Sequence, residues 1–356
     1  MCQSGDNRRP GVTPEGGTSG EEPATAMLGE DEMQVLLTGG AGYIGSHTAK
    51  ELAKAGYEPI VLDNLHRGHV WAVRWGPLEQ IDLADTRSLR AVLEKRQIGA
   101  VIHFAAHAYV GESMLAPAEY WRNNLVNTLN LLDAMRETGI QRIVFSSTCA
   151  IYGNAERTPI AEDHPQRPVS PYGHSKLAIE RILESYGRAY GLSWTALRYF
   201  NAAGADPGGE IGESHAPETH LIPRAIAAAC GDLAELEIFG VDYPTPDGTA
   251  IRDYVHVTDL ARAHVMALER LARGDPGDVF NLGTGTGYSV RDVITVVEEV
   301  SGRRVPTRAC PRRVGDPPVL MADASRAVRK LGWVPQFSCL NKIVETAWRW
   351  HTRIVR

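Results

Sequence analysis

The run Gly39-Gly40-Ala41-Gly42-Tyr43-Ile44-Gly45 constrains this chain more than any other stretch. It follows a short apolar run, Gln34 to Thr38, and opens a segment of helical texture that reaches about Ala55. The spacing predicts a strand, a tight turn and a helix. Gly39 permits the turn, Gly42 lets backbone approach a phosphate, and Gly45 lets the helix lie close on the strand. The first N–H groups of that helix then face an anion. A Gly-rich turn in this strand–turn–helix setting predicts a dinucleotide seat on a parallel sheet.

The rest of the chain keeps the rhythm. Apolar β-type runs recur at Pro59–Leu62, Ala100–Phe104, Arg142–Ser146 and Trp194–Tyr199, with helical stretches such as Leu125–Arg136 and Lys176–Tyr190 between them. Alternation of this kind predicts an α/β chain with a Rossmann-type, doubly wound parallel sheet. Past about Asn201, glycine and proline become dense, as in Gly204–Gly209 and Tyr243–Gly248. That texture predicts long, shaped loops and a smaller C-terminal substrate-binding lobe. Val279–Leu282 reads as a late strand and Ser289–Asp292 as a capped helix start. The expected division is a disordered tail over 1–32, a nucleotide-binding domain over 33–201 to which later segments return, and a mainly substrate-binding domain over 202–356. Ligand belongs between the lobes, beyond the carboxyl ends of the strands.

Composition excludes several classes. The 356 residues carry a formal net charge of −6, and nearly all of it sits in residues 1–32, where seven carboxylates face two arginines. That segment has too few large apolar side chains to offset the entropy of ordering. The acidity therefore says little about a ligand. No basic run with interleaved aromatics suggests nucleic acid, and no apolar run is long enough to span a membrane. Cys2, Cys149, Cys230, Cys310 and Cys339 are scattered without a CxxC pair, which argues against a disulfide framework or zinc site built on cysteine and for a reducing, cytoplasmic setting.

Chemistry concentrates at three places. Asp63 ends the second apolar run, 18 residues after Gly45. A carboxylate there accepts ribose hydroxyls and repels a 2′-phosphate, which favours NAD over NADP, with Arg67 nearby as the opposing signal. Asp82-Leu83 follows a third short run and could meet an adenine. Phe104-Ala105-Ala106 leaves the fourth with small residues that allow close backbone approach. The third place is Thr148 with Tyr172 and Lys176. Residues four apart share a helix face. An ammonium beside a phenol is expected to favour the phenolate, which supplies a base for carbinol chemistry near neutral pH.

Seven stretches, in order, resemble one family: GGAGYIGSH (39–47), HFAAHAYVGES (103–113), FSSTCAIYG (145–153), SPYGHSK (170–176), RYFNAAGADP (198–207), DGTAIRDYVHV (247–257) and FNLGTG (280–285). From about Met33 to the C-terminus the chain is similar to the UDP-glucose 4-epimerases, which are extended short-chain dehydrogenases/reductases. The resemblance implies a nucleotide-binding lobe with a smaller substrate lobe, tightly held NAD, a UDP-sugar substrate and a homodimer. It implies cofactor contacts from Gly39, Gly42, Tyr43, Ile44, Gly45, Asp63, Asn64, Asp82, Leu83, Phe104, Ala105, Ala106, Asn123 and Phe200. It assigns the chemistry to Thr148, Tyr172 and Lys176, with Tyr172 and Lys176 also touching cofactor and Thr148 and Tyr172 the sugar. It gives the UDP part to Asn201, Leu221, Phe239, Arg252, Arg313 and Asp316. No metal is implied.

Three positions depart from that pattern. Thr148 stands where serine is frequent and keeps the hydroxyl. His220 stands where some members carry asparagine. Leu320, at a place held by tyrosine or cysteine in others, leaves N-acetylhexosamine substrates open, and the stretches Ala108–Ser113 and Ser146–Gly153 also resemble relatives acting on UDP-xylose and UDP-arabinose. Rival readings are a nucleotide-sugar dehydratase or decarboxylase, and a dinucleotide-binding protein without chemistry. The first needs carboxylates directly after the threonine, where this chain has Cys149 and Ala150. The second is expected to lose the tyrosine or lysine, and both are present.

Overall fold

The computed structural model describes residues 33–313 and 315–354, so the expected tail over 1–32 lies outside the described residues. The chain opens with β1 (Gln34–Thr38), α1 (Tyr43–Lys54), β2 (Glu58–Leu62) and β3 (Leu78–Glu79). It continues through α2 (Thr86–Lys95), β4 (Ala100–His103), α3 (Val110–Leu115), α4 (Pro117–Tyr120), α5 (Asn127–Glu137), β5 (Arg142–Thr148), α6 (Pro171–Tyr190) and β6 (Ser193–Tyr199). Then come β7 (Asn201–Ala203), α7 (Leu221–Cys230), β8 (Leu236–Phe239), β9 (Ile251–His256), α8 (Val257–Ala272) and β10 (Asp278–Leu282). The last elements are β11 (Gly287–Ser289), α9 (Val290–Ser301), β12 (Thr307–Cys310), β13 (Val319–Leu320), α10 (Ser325–Leu331) and α11 (Leu340–Ile354).

Seven parallel strands form the large sheet in the order β10-β6-β5-β4-β1-β2-β3. The order reverses at β1, which pairs β2 on one side and β4 on the other. That reversal opens a crevice at the carboxyl ends of β1 and β4. The expected α/β, Rossmann-type doubly wound sheet is what the chain forms. Its central strands are buried on both faces: Val35, Leu36 and Leu37 of β1 and Ile143, Val144 and Phe145 of β5 are all 0% exposed. Each such side chain contributes about 1.5–3 kcal/mol through burial, which accounts for the continuous rather than alternating apolar runs in the sequence.

Two apolar layers cover the sheet. One packs Leu52 of α1 and Leu260, Leu268 and Leu271 of α8 against Val35, Leu37 and Ile102. The other packs Leu89 and Val92 of α2, Leu131 and Met135 of α5 and Ile179 and Leu183 of α6 against Leu36, Val101 and Phe145. The late strand β10 pairs β6 over Asp278–Leu282, so a segment far along the chain completes the sheet begun at Gln34.

A second, smaller set of elements has its own core of Ile222, Ile226, Val293, Val297, Ile343 and Val344. Here β9 pairs β7, β11 and β13, while β8 and β12 make a separate parallel pair. The predicted helix start at Ser289 is a reciprocal capping box: Ser289 Oγ accepts from Asp292 N (3.0 Å) and Asp292 Oδ2 accepts from Ser289 N (2.8 Å).

One element differs from expectation. The helical run expected from Leu125 begins as a wide i→i+5 turn over Trp121–Val126, and regular α5 starts only at Asn127. Buried Asn124 sits in that turn. Its side chain accepts from His107 N (2.8 Å) and donates to His107 O (3.0 Å), and a wide turn lets it face that loop.

Candidate active site

The Gly-rich turn packs as its spacing requires. Gly39 has φ +72, and its N–H donates to Leu62 O at 2.8 Å. A Cβ on Gly39 would stand 2.6 Å from Ala105 N, and one on Gly45 would stand 2.4 Å from Gly39 O. The small residues after β4 are therefore part of the same cradle: Phe104 N and Ala105 N both donate to Thr38 O, at 2.9 and 3.0 Å. No side chain caps α1 at Gly42, and no acidic residue lies in its first turn. Its leading N–H groups thus suit an anion.

Asp63, 7% exposed, lies at the carboxyl end of β2. Its Oδ2 accepts from Ala41 N (3.0 Å) and its Oδ1 from Leu65 N (2.8 Å), which fixes the carboxylate beside the turn. Burial pushes its carboxyl above the ordinary value, against the pull of those two donors. Asn64 donates to Asp82 Oδ2 at 2.7 Å, so two expected adenosine contacts meet. Arg67, the residue that could have suited a 2′-phosphate, pairs with Glu112 at 2.6 Å and lies over the Tyr109 ring at 4.6 Å. Leu83 packs in the layer of α2, α5 and α6, and Ile44 against the opposite layer of α1 and α8. Asn123 donates to Asn124 Oδ1, and the Tyr43 hydroxyl donates to Gly204 O at 2.6 Å.

Thr148 ends β5, and its Oγ1 accepts from Ala150 N at 3.1 Å. Helix α6 starts beside it: Ser170 Oγ accepts from Gly173 N and Pro171 occupies the first turn. Tyr172 and Lys176 follow on one face, 8% and 2% exposed. Tyr172 is close enough to Thr148 for the Thr148 hydroxyl to favour its phenolate. Lys176 Nζ donates to Ser146 O at 2.8 Å, 6.0 Å from the Tyr172 ring centroid.

The electrostatics correct one expectation. Burial pushes the Tyr172 phenol well above its ordinary value, with Tyr199 adding to the rise and Thr148 opposing it. Burial also pulls Lys176 from 10.5 down to about 7, against the field of Glu180. The ammonium therefore does not by itself make Tyr172 a phenolate. It is buried, tied to a backbone carbonyl and set back from the phenol.

Other expected residues meet at the second sheet. The guanidinium of Arg252 makes a close ion pair with Asp316, and Arg313 lies 4.0 Å from the Phe239 ring centroid. Asn201 Nδ2 donates to Asp253 O at 2.9 Å, and Leu221 is the first residue of α7. Phe200 and Leu320 join one apolar cluster with Ile151 and Tyr152, and Leu320 is the register partner of Arg252. His220 is drawn to Glu213, with Nδ1 at 2.5 Å from Oε1. Cys149, which the dehydratase rival would need as an acid or base, is a half-buried thiol that desolvation pushes up to about 12.

Residue-level reading missed the layer behind the site. Glu180, 4% exposed, accepts from Ser147 Oγ (2.5 Å) and from Arg198 Nε (2.9 Å). The spacing 172, 176, 180 continues one helix face and could have marked it. Asn124, which donates to Ser175 Oγ at 3.2 Å, carried no such signal.

Known proteins share this fold. The NAD dependent epimerase/dehydratase family model matches residues 35–283. A UDP-glucose 4-epimerase of Rhizobium leguminosarum bv. trifolii is 49% identical over 327 residues, covering 92% of this chain and 99% of the relative. The crystal structure of UDP-glucose 4-epimerase from Brucella ovis in complex with NAD is 54% identical with a TM-score of 0.87, covering 89% of this chain and 97% of that one. The enzyme from Bifidobacterium longum in complex with NAD+ and UDP is 38% identical with a TM-score of 0.85, covering 90% and 98%. With the Gly-rich cradle, the Thr148–Tyr172–Lys176 cluster and these likenesses together, the chain belongs to the NAD dependent epimerase/dehydratase family and, within it, groups with the UDP-glucose 4-epimerases.

Proposed function

We propose that the chain is an NAD-dependent UDP-glucose 4-epimerase, an isomerase that interconverts UDP-galactose and UDP-glucose. The observation that carries this reading is the grouping of Thr148 at the end of β5 with buried Tyr172 and Lys176 on one face of α6, and the Gly39–Gly45 cradle at the head of the same sheet. The cradle fits NAD: the uncapped start of α1 suits the pyrophosphate, Asp63 suits an unphosphorylated ribose, and Arg67 is committed to Glu112. When bound, NAD supplies the reversible oxidation of sugar carbon 4.

The chain's own residues do the rest. Tyr172 takes the proton of the 4-hydroxyl, with Thr148 holding both oxygens in line. Protonated Lys176 adds positive charge near the base, and the oxidised cofactor would supply a positive charge of its own. Arg252 and Arg313 hold the diphosphate, Asp316 accepts from the uridine ribose, and Asn201, Leu221 and Phe239 complete the UDP clamp. With binding energy on the UDP part, the 4-keto sugar turns about the diphosphate link and offers its other face before Tyr172 returns the proton. Leu320 beside Phe200 shapes the sugar end of this pocket.

Two further readings accompany this one. A homodimer is supported by exposed Val110, Met114 and Leu115 of α3 and Trp121 and Val126 at the two ends of the wide turn before α5. Sedimentation of the wild type against Leu115→Asp tests it. A cytoplasmic setting is supported by four free cysteines among the described residues. No helix among those residues is long and apolar enough to cross a membrane.

The functional test incubates the purified chain with UDP-galactose, UDP-arabinose or UDP-GalNAc without added reductant. Chromatography is expected to show UDP-glucose from the first, and acid release is expected to yield about one NAD per chain. No C4 epimer from any of the three overturns the reading.

A further inference from the structure

The loop between β7 and α7 gathers four side chains that the epimerase chemistry does not use together. One donor atom from each of Glu213, His215, Glu218 and His220 lies within 4.8 Å of the others. His220 Nδ1 and His215 Nδ1 approach the same oxygen, Glu213 Oε1, at 2.5 and 3.1 Å. Glu218 faces the two imidazoles at 3.4 and 3.6 Å. The Glu213 side chain is only 6% exposed. His215 Nδ1 is buried and makes no hydrogen bond of its own, although it points among these carboxylates.

We propose that Glu213, His215, Glu218 and His220 form a site for a zinc-class divalent cation, separate from the Thr148–Tyr172–Lys176 cluster. Two imidazole nitrogens with two carboxylate oxygens make a mixed donor set. Calcium and magnesium prefer oxygen alone, whereas zinc and its neighbours take nitrogen readily. Tetrahedral ligands at zinc distances stand about 3.3 Å apart; the two imidazoles lie 3.1 and 2.5 Å from Glu213 Oε1 and 3.6 and 3.4 Å from the Oε2 and Oε1 of Glu218, on either side of that value.

The location gives the ion a task. His215 meets the Tyr43 ring of the Gly-rich turn edge-on at 6.2 Å and the Tyr109 ring at 6.0 Å. His220 is followed directly by Leu221, where α7 begins. A cation here closes the 213–220 segment against the turn and fixes the start of α7. The assignment does not depend on which sugar the enzyme accepts.

The test uses untagged wild-type protein treated with chelator, then titrated with zinc by calorimetry and with cobalt by visible absorption. Expected are about one equivalent bound with Kd near or below about 1 µM, the bands of four-coordinate cobalt, and a higher melting temperature with metal. His215→Ala and, independently, Glu218→Gln are each expected to weaken uptake by about 100-fold or more. Absence of saturable uptake by the folded wild type overturns the proposal, as does unchanged uptake in both variants. Neither readout is turnover, so failure of the epimerase assay and failure of metal binding remain distinct results.

Discussion

Tyr172 and Lys176 are each shifted by the same cause, in opposite chemical senses. Burial disfavours charge on both, so the phenol holds its proton more tightly and the ammonium releases its proton more readily. Tyr172→Phe removes the proposed proton acceptor and little volume. Turnover is expected to fall by about 10²–10⁴-fold while NAD, measured after acid release, stays near one per chain. Lys176→Met tests the electrostatics. Unfolded, this lysine stays protonated to about pH 10.4; folded, it does so only to about 7. Below pH 7 the fold carries the full cost of a buried charge, and the cost fades as pH rises toward 10. Lys176→Met should therefore be more stable than wild type at pH 6, by at most about 5 kcal/mol, and nearly equal to it at pH 10. Urea melts at the two pH values read this directly. An equal difference at both would show that Lys176 is not depressed in the fold.

At the scale of the element, the strand–turn–helix unit that opens the chain is set by backbone proximity. A methyl on Gly45 would have to displace the carbonyl of Gly39, because 2.4 Å is far inside contact. Gly45→Ala is expected to cost about 1–3 kcal/mol and to lower the NAD found per purified chain. A variant with full NAD content and unchanged stability would mean the turn relaxes freely. This unit was legible in the sequence because its requirement is local. Glycine spacing, an apolar run and a helix start all fall within about twenty residues. The capping box at Ser289 was legible for the same reason. The wide turn at Trp121–Val126 was not, since it answers to His107, 17 positions before Asn124.

At the scale of the molecule, one buried carboxylate ties the second sheet to the first. Asp253 of β9, 0% exposed, accepts from Thr284 N, Thr284 Oγ1 and Gly285 N, just past β10, and from Ala322 N, just past β13. Burial pushes its carboxyl up, and these donors hold it down. An amide offers one acceptor oxygen in place of two and turns an N–H₂ toward existing donors. Asp253→Asn is expected to destabilise the chain by about 2–4 kcal/mol. It should also raise KM for UDP-galactose more than it lowers kcat, because Arg252 is the adjacent residue. Denaturant melts and steady-state kinetics together check this, and a change in kcat alone would contradict it.

The sequence by itself determined the sheet type, the dinucleotide turn and the helix face shared by Tyr172 and Lys176, because each depends on spacing within a single element or its neighbour. Only the tertiary structure decided that Arg67 would be occupied by Glu112, that Arg198 would reach Glu180 behind the site, and that Lys176 would be set back from the phenol. Those outcomes depend on burial and on which distant side chain arrives first at a charge. Neither quantity is carried by local order along the chain.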